Sequence, residues 1–324
     1  MFVKEETAEY IGNGMLGISF LSIRHYPPRY HPDVIEFLIP IRGRISVVSG
    51  FESVQLNEGD FFTVDQGDVH YIYSDDPDNI VLSIHLNLRL LISDIEELKY
   101  SLFVFENHKG HTINMNRKKR VLDLLMAAGY VYSTEGNLSS ACYTDLASAL
   151  IDIMKEHFSL LDYLTGYTEI SEHKSEVMKK IAIYIADNYR NNISLSTLAD
   201  YLHYDKSYLA RFMKGLIHFN FSTALNYFRC SEAEFLLLTT DLSNDEISYR
   251  CGFPDLRLFY DNFRKWWKTT PYRHRQKYSN YMSEPDEYNR LEPDEISGII
   301  QRAYCEYHLK HELARLSIPG DSPR

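Results

Sequence analysis

From about residue 11 to residue 90 the apolar positions fall in short runs divided by turn residues. Ile35 to Ile41, Ile45 to Val48, Val54 to Leu56, Phe61 to Val64, Val69 to Tyr73 and Ile80 to Leu88 are separated by signals such as Arg42-Gly43-Arg44, Ser49-Gly50, Glu58-Gly59-Asp60 and Gln66-Gly67-Asp68. Turn residues at such regular intervals predict an all-β sandwich or barrel. After about Leu91 the period lengthens. Val121, Leu124, Leu125, Ala128 and Val131, then Leu146, Leu150, Ile153 and Met154, recur at three- and four-residue steps and predict a helical hairpin, Arg117 to Tyr132 and Tyr143 to Phe158. Asp162 to Ser175 is polar and aperiodic and reads as a linker. The expected organisation is therefore a β-domain with its hairpin (1–161), the linker (162–175), a helical segment (176–282) and an extension (283–324). The extension carries one more helix, about Glu295 to Leu316, which covers the helical segment, adds to a dimer or docks passively.

The helical segment contains two helix-turn-helix patterns. In the second, Ser243 and Glu246 form a capping box, in which each can satisfy a backbone N–H at the start of a helix. Cys251-Gly252 ends that helix, because glycine takes the left-handed conformation freely. Asp255 caps the next, Leu256 to Trp267, which buries Phe259 and Phe263 and presents Arg257, Tyr260, Asp261 and Arg264. In the first pattern Leu195, Leu198, Ala199 and Leu202 form one helix, and Asp205 caps another from Lys206 to Lys214. There Leu209 and Phe212 face inward, and Lys206, Ser207, Ala210, Arg211 and Lys214 outward. Phe221 to Leu238 joins the two patterns as a helix of about 27 Å. Helices buried on one face and cationic on the other have the layout that enters a major groove.

Charge sharpens this division. The chain has 324 residues and a formal charge of −11, yet Lys174 to Met282 holds 16 Lys and Arg against 11 Asp and Glu, so the remainder carries −16. A basic segment inside an acidic protein is expected to hold the polyanion-binding face. With 44% hydrophobic residues the chain has material for real cores. Cys142, Cys230, Cys251 and Cys305 make no C-x-x-C pair and read as reduced core thiols rather than a zinc cage or a disulfide framework. Met1 to Tyr10 carries Lys and Glu where a secretion signal needs an apolar run, and no stretch approaches the roughly 20 apolar residues of a membrane span, so a cytoplasmic protein is expected.

Arg229, Ala233-x-x-Leu236-Leu237, Ile247-x-x-x-x-Gly252-Phe253-x-Asp255, Phe259, Phe263-x-Lys265 and Thr270-Pro271-x-x-x-Arg275 resemble the signature of the AraC family of bacterial transcription regulators. The resemblance implies a seven-helix, double helix-turn-helix domain that reads promoter or operator DNA. Its readers map onto Lys206, Ser207, Ala210 and Arg211 in the first recognition helix and Leu256, Arg257, Tyr260 and Asp261 in the second. Lys214 and Arg264 share the exposed faces. Arg211 and Arg257 suit guanine, whereas contact with phosphate alone is the alternative. Trp266 and Trp267 read as packing rather than base stackers. His218 and Lys268 stand where the family commonly has glycines after its recognition helices, so those helix ends must close another way.

In the β-domain, His31 and Glu36 with Gly43, then Gly59, Gly67 and His70, resemble the two cupin motifs. The overall expectation is an α+β, two-domain chain: a cupin-like barrel with its hairpin, then an all-α double helix-turn-helix domain and a tail helix. Cupin enzymes hold a metal with positions that map here onto Arg29, His31, Glu36 and His70. Arg29 cannot ligate, since its guanidinium stays protonated, and Asp65 replaces the usual proline. These four residues are read as an effector pocket, with structural polar residues and a metal-dependent cupin enzyme using His31, Glu36 and His70 as alternatives. His85 on the last strand is left between the same choices. No catalytic residue, resident metal or cofactor is assigned. By resemblance the protein is an effector-responsive regulator, an activator, with RNA polymerase as partner and a sugar or related metabolite as effector. A second subunit would pair through Val121, Leu125, Leu146, Leu150 and Ile153, packing of that hairpin on the barrel being the alternative. An effector-independent DNA-binding adaptor is the remaining reading.

Overall fold

The structure is a computed structural model and describes residues 2–11, 14–50, 52–92, 115–135, 140–157, 171–217 and 220–306. It divides into two compact units. One comprises residues 1–4, 100–102 and 159–283, the other residues 5–99, 103–158 and 284–324.

The second of these is a nearly closed antiparallel β-barrel with helices. Its strands are β1 (Lys4–Glu5), β2 (Leu16–Tyr30), β3 (Val34–Arg42), β4 (Arg44–Ser49), β5 (Glu52–Asn57), β6 (Phe62–Val64), β7 (His70–Tyr73), β8 (Ile80–Asn87) and, from the far end of the chain, β9 (Glu287–Leu291). They are ordered β5-β4-β7-β2-β8-β3-β6, with β9 also paired to β2. The regular turns place these strands much as their hydrophobic runs predict. The exception is β2, one 15-residue strand through Pro27-Pro28 whose register shifts between Tyr26 and Arg29. Proline cannot donate to a ladder, and a bulge absorbs it.

A short helix α1 (Leu88–Ile92) is followed by the hairpin α2 (Met115–Glu135) and α3 (Ser140–His157). Gly129 lets α2 approach β8: a Cβ there would sit 2.6 Å from Leu82 Cδ2. Val121, Leu125, Leu146, Leu150 and Ile153 are all buried within the one chain, and the tail helix packs on α2. The residues expected at a subunit seam are thus used internally. The extension is not helical throughout. Glu287–Leu291 pairs antiparallel with Phe20 to His25 of β2, and the tail helix runs from Pro293 to Glu306 with Ile296, Ile300 and Ala303 buried. Five residues rich in charge carry no strand signal of their own, and β2 supplies it as a template. The rest of the expected tail helix, to Leu316, lies outside the described residues.

The helical unit contains α4 (Glu172–Asn188), α5 (Leu195–Leu202), α6 (Lys206–Ile217), α7 (Phe221–Thr239), α8 (Asn244–Arg250), α9 (Leu256–Trp267) and α10 (Pro271–Tyr281). The tail helix is α11 (Pro293–Glu306). Residues 172–175, expected in the linker, form the first turn of α4; 162–170 lie outside the described residues. The expected capping box forms, Ser243 with Glu246, and the structure adds a second, Ser194 with Thr197. One core gathers Ile181, Leu198, Leu209, Met213 and Leu225; another gathers Ala233, Leu237, Ile247, Phe259 and Phe263. Of the four thiols only Cys305 is exposed, against the expectation of a core position.

Lys268 closes α9 in the left-handed region, at φ 55°, with its N–H on the Arg264 carbonyl. It adopts the conformation of the glycine it replaces and bears the strain, whereas His218 lies outside the described residues. Lys268→Gly is expected to stabilise this unit by about 1 kcal/mol, since the Cβ penalty that disappears outweighs the exposed hydrogen bond from Lys268 Nζ to the Lys265 carbonyl. Urea unfolding followed by tryptophan fluorescence checks it, and a lower midpoint would contradict the assignment of strain.

Candidate DNA interface and barrel site

In the helical unit, α5 and α6 form the first helix-turn-helix, and α8 and α9 the second. Asp205 Oδ1 accepts the Tyr208 N–H at 3.0 Å and fixes the start of α6. Leu209 is fully buried and Phe212 packs beside it, which turns Lys206, Ser207, Ala210, Arg211 and Lys214 to solvent. All five expected residues therefore share one exposed face. On α9, Asp255 Oδ1 accepts the Leu258 N–H at 2.7 Å, Phe259 and Phe263 are buried, and Arg257, Asp261 and Arg264 are exposed. The other two candidates are placed differently. Leu256 is half-buried against the second core, and the half-buried Tyr260 accepts a hydrogen bond from Asn244 Nδ2 at 2.7 Å on its hydroxyl. Arg257 reaches Asp261 at 3.8 Å, with side-chain exposures of 91% and 58%. A pair that open contributes about 0.5 kcal/mol or less, so the guanidinium is free to leave for another anion.

Two arginines of the expected signature have structural roles. Arg229 is buried and donates from Nε to the Tyr189 carbonyl at 2.8 Å and from Nη2 to that of Asn191 at 2.9 Å. Arg275 donates to the carbonyls of Leu237, Thr240 and Leu242 around the end of α7. Each guanidinium fork bonds backbone carbonyls at or just beyond a helix end and so ties that end in place.

In the barrel, strand register brings the four expected residues together. Arg29 on β2 lies opposite His70 on β7, and Glu36 on β3 opposite His85 on β8. Arg29, His31, Glu36 and His70 are at most 4% exposed. Arg29 Nη2 donates to Glu36 Oε1 at 3.1 Å, its Nε lies 2.5 Å from Glu6 Oε2, and its guanidinium sits 3.6 Å over the Tyr26 ring. Glu36 Oε1 also accepts from Ser83 Oγ at 2.9 Å and lies 3.4 Å from His85 Nε2. Its other oxygen, Oε2, faces His70 Nε2 at 2.9 Å and His31 Nε2 at 3.6 Å. Burial pushes the Glu36 carboxyl up, but Arg29 and His70 outweigh it and hold the group well below the usual carboxylate range. Burial, and then Arg29, lower the His70 imidazole.

Glu6, Ser83 and the tight engagement of His85 were missed by sequence reasoning. Ser83 and His85 are two apart on one strand and so face the same side, which is the one signal that points to them. His31, Glu36 and His85 offer donor atoms within 4.8 Å of one another, a set that would suit a metal ion. A half-open cleft of about 380 Å³ in the same unit, lined in part by Ser22, Arg24, Asp76, Asn79, Glu287 and Asn289, contains none of the four expected residues.

Residues 198–277 match the family described as Helix-turn-helix domain. The chain is 21% identical over 235 residues to an uncharacterised HTH-type transcriptional regulator of Staphylococcus aureus (strain MRSA252), a match covering 72% of this chain and 30% of that protein. It is 30% identical over 99 residues to the xylose operon regulatory protein of Escherichia coli (strain K12), covering 31% of this chain and 25% of that one. The C-terminal domain of the two-component response regulator yesN from Fusobacterium nucleatum is 31% identical, with 32% of this chain and 99% of that domain covered at a TM-score of 0.29. The chain thus spans less than a third of the length of the two full-length relatives. Among the described residues no helix is long and apolar enough to cross a membrane.

Proposed function

We propose that this chain, which carries an AraC-type helix-turn-helix domain at residues 198–277, is a sequence-specific DNA-binding transcription regulator that activates in response to a small effector taken up by its barrel. The observation that carries this reading is the pair of cationic helix faces. Lys206, Arg211 and Lys214 stand exposed on α6, and Arg257 and Arg264 on α9, each opposite a buried aromatic or aliphatic stripe. Phosphate contacts from such faces set affinity, and the arginines contribute the sequence reading.

On this reading Arg29, His31, Glu36 and His70 serve a sensor and not a catalytic centre. Buried charge that is incompletely hydrogen-bonded costs stability, and a ligand that completes the bonding of one arrangement shifts the population toward it. RNA polymerase and a second subunit are the protein partners, acting in the cytoplasm. Because Val121, Leu125, Leu146, Leu150 and Ile153 are buried within the chain, a second subunit pairs through residues other than these five.

The test is a mobility-shift titration of the purified chain against the DNA flanking its own gene, with a scrambled duplex as competitor at several salt concentrations. A preference of about 10³-fold or more is expected for the specific site. Equal affinity for both duplexes would overturn the reading.

A further inference from the structure

The chain joins the helical unit to the barrel through both of its ends. Residues 159–283 make up most of that unit, whereas 103–158 before it and 284–324 after it fold with the barrel. Past α10 the chain returns to the sheet it left, laying β9 along Phe20 to His25 of β2 before α11 packs on α2. The matched helix-turn-helix segment ends at residue 277, ahead of this return.

The two parts of the return are anchored unequally. The helix α11 buries Ile296, Ile300 and Ala303, and it opens on its own turn, with the Glu295 N–H on the Glu292 carbonyl at 3.1 Å. No residue of β9 is buried: Glu287, Asn289 and Arg290 are exposed, and Tyr288 and Leu291 are half-buried. Its ion pairs, Arg24 with Glu287 at 3.2 Å and Arg290 with Glu9 at 2.8 Å, are open to solvent and therefore weak. Such a strand belongs to the parts of a fold that open locally while the rest stays closed.

What ties β9 to the barrel core is the Tyr288 ring, whose centroid lies 3.9 Å from that of the buried Tyr26. Tyr26 in turn belongs to the polar cluster. The Arg29 guanidinium lies 3.6 Å over its ring, and its hydroxyl donates to Glu6 Oε1 at 2.5 Å. Arg29 is bonded to Glu36 at 3.1 Å. In close-packed surroundings a shift of Arg29 is felt by the ring on which Tyr288 rests.

We propose that residues 284–306 are a strap, whose strand β9 docks or releases according to the arrangement of Arg29 and Glu36 and so sets the length of the tether on the DNA-binding helices. With β9 docked, the five residues Met282 to Asp286 separate α10 from the sheet, a span of at most about 20 Å. With β9 released and α11 still packed on α2, the tether is the eleven residues Met282 to Glu292, and its reach doubles to about 40 Å. Tyr288 is the positioning residue of this device. An effector that favours one arrangement of the cluster shifts the population of docked strand, and by linkage the affinity for DNA shifts with it. The inference rests on the reading of the helices as the DNA-binding half and the barrel as the sensor, and adds how one controls the other.

The test needs no effector, because Arg29→Lys keeps the charge and loses the planar group over Tyr26. Hydrogen exchange, read by mass spectrometry, and affinity for the gene-flanking and scrambled duplexes are measured on the full chain as wild type, Arg29→Lys, Tyr288→Ala and the double variant. In Tyr288→Ala, exchange over Glu287 to Leu291 should rise by about 10-fold or more while Ile296 to Ala303 is unchanged. Arg29→Lys should change exchange in the same strand and shift duplex affinity by about 5-fold or more. In the Tyr288→Ala background the same substitution should shift affinity by less than about 2-fold. Glu36→Gln with Tyr288→Leu replaces any pair whose circular dichroism shows a lost barrel. Equal shifts with and without Tyr288→Ala, or exchange in β9 that ignores Arg29→Lys, overturn the strap. If β9 answers to Arg29→Lys and the affinities are non-additive on both duplexes alike, the strap stands and the sequence-specific reading fails.

Discussion

Gly252→Ala is expected to cost the helical unit about 3 kcal/mol, a loss large enough to unfold part of the population at physiological temperature. Two terms add. Gly252 sits at φ 77°, where an L-residue loses about 1–2 kcal/mol. A Cβ there would also lie 2.6 Å from the Tyr189 carbonyl oxygen and 2.7 Å from that of Arg190. These are backbone atoms at the end of α4, and overpacking against them adds about 1–3 kcal/mol. The Tyr189 carbonyl cannot retreat freely, because Arg229 Nε binds it at 2.8 Å. Both tryptophans of the chain, Trp266 and Trp267, lie in this unit, so fluorescence during urea unfolding reports it separately from the barrel. A change within about 0.5 kcal/mol would show that the turn is not clamped as described.

The contrast with Lys268 shows what is legible from a sequence and what is not. Both residues close a helix in the left-handed region, and Gly252 could be read as a helix stop from its place after Cys251. Its second role, admitting the carbonyls of Tyr189 and Arg190 some 60 residues earlier, has no local signature. The same holds for Arg229. A lone arginine on an apolar stripe with Leu225, Ala233 and Leu237 signals a buried partner, but Tyr189 and Asn191 become that partner only through the fold.

The barrel repeats the lesson. Turn glycines and short apolar runs mark β3 to β8, because each signal is written within ten residues. The bulge in β2 and the whole of β9 depend on neighbouring strands and are not. The cluster of Arg29, His31, Glu36 and His70 was legible from motif spacing, whereas Glu6 and Ser83 enter it by register alone. His85 had the wrong company in sequence, an apolar strand, and acquires its role by lying opposite Glu36.

Arg211→Ala and Arg257→Ala together are expected to reduce affinity for the specific duplex by about 10³-fold while leaving the fold unchanged. Each guanidinium is exposed and, among the described residues, tied to nothing stronger than the 3.8 Å contact of Arg257 with Asp261. A bidentate arginine–guanine contact discriminates by about 1–3 kcal/mol, roughly 30-fold at the centre of that range. The two residues stand on different helices over separate cores, so their effects should add. Titrations of the single and double variants on specific and scrambled duplexes, across a salt series, separate base reading from phosphate contact. Base readers lose affinity on the specific duplex alone. Phosphate contacts weaken both duplexes equally and each lowers the salt slope by about one. The second pattern would move sequence recognition to the remaining exposed residues, Lys206, Ser207 and Asp261, whose side chains would then carry the base contacts.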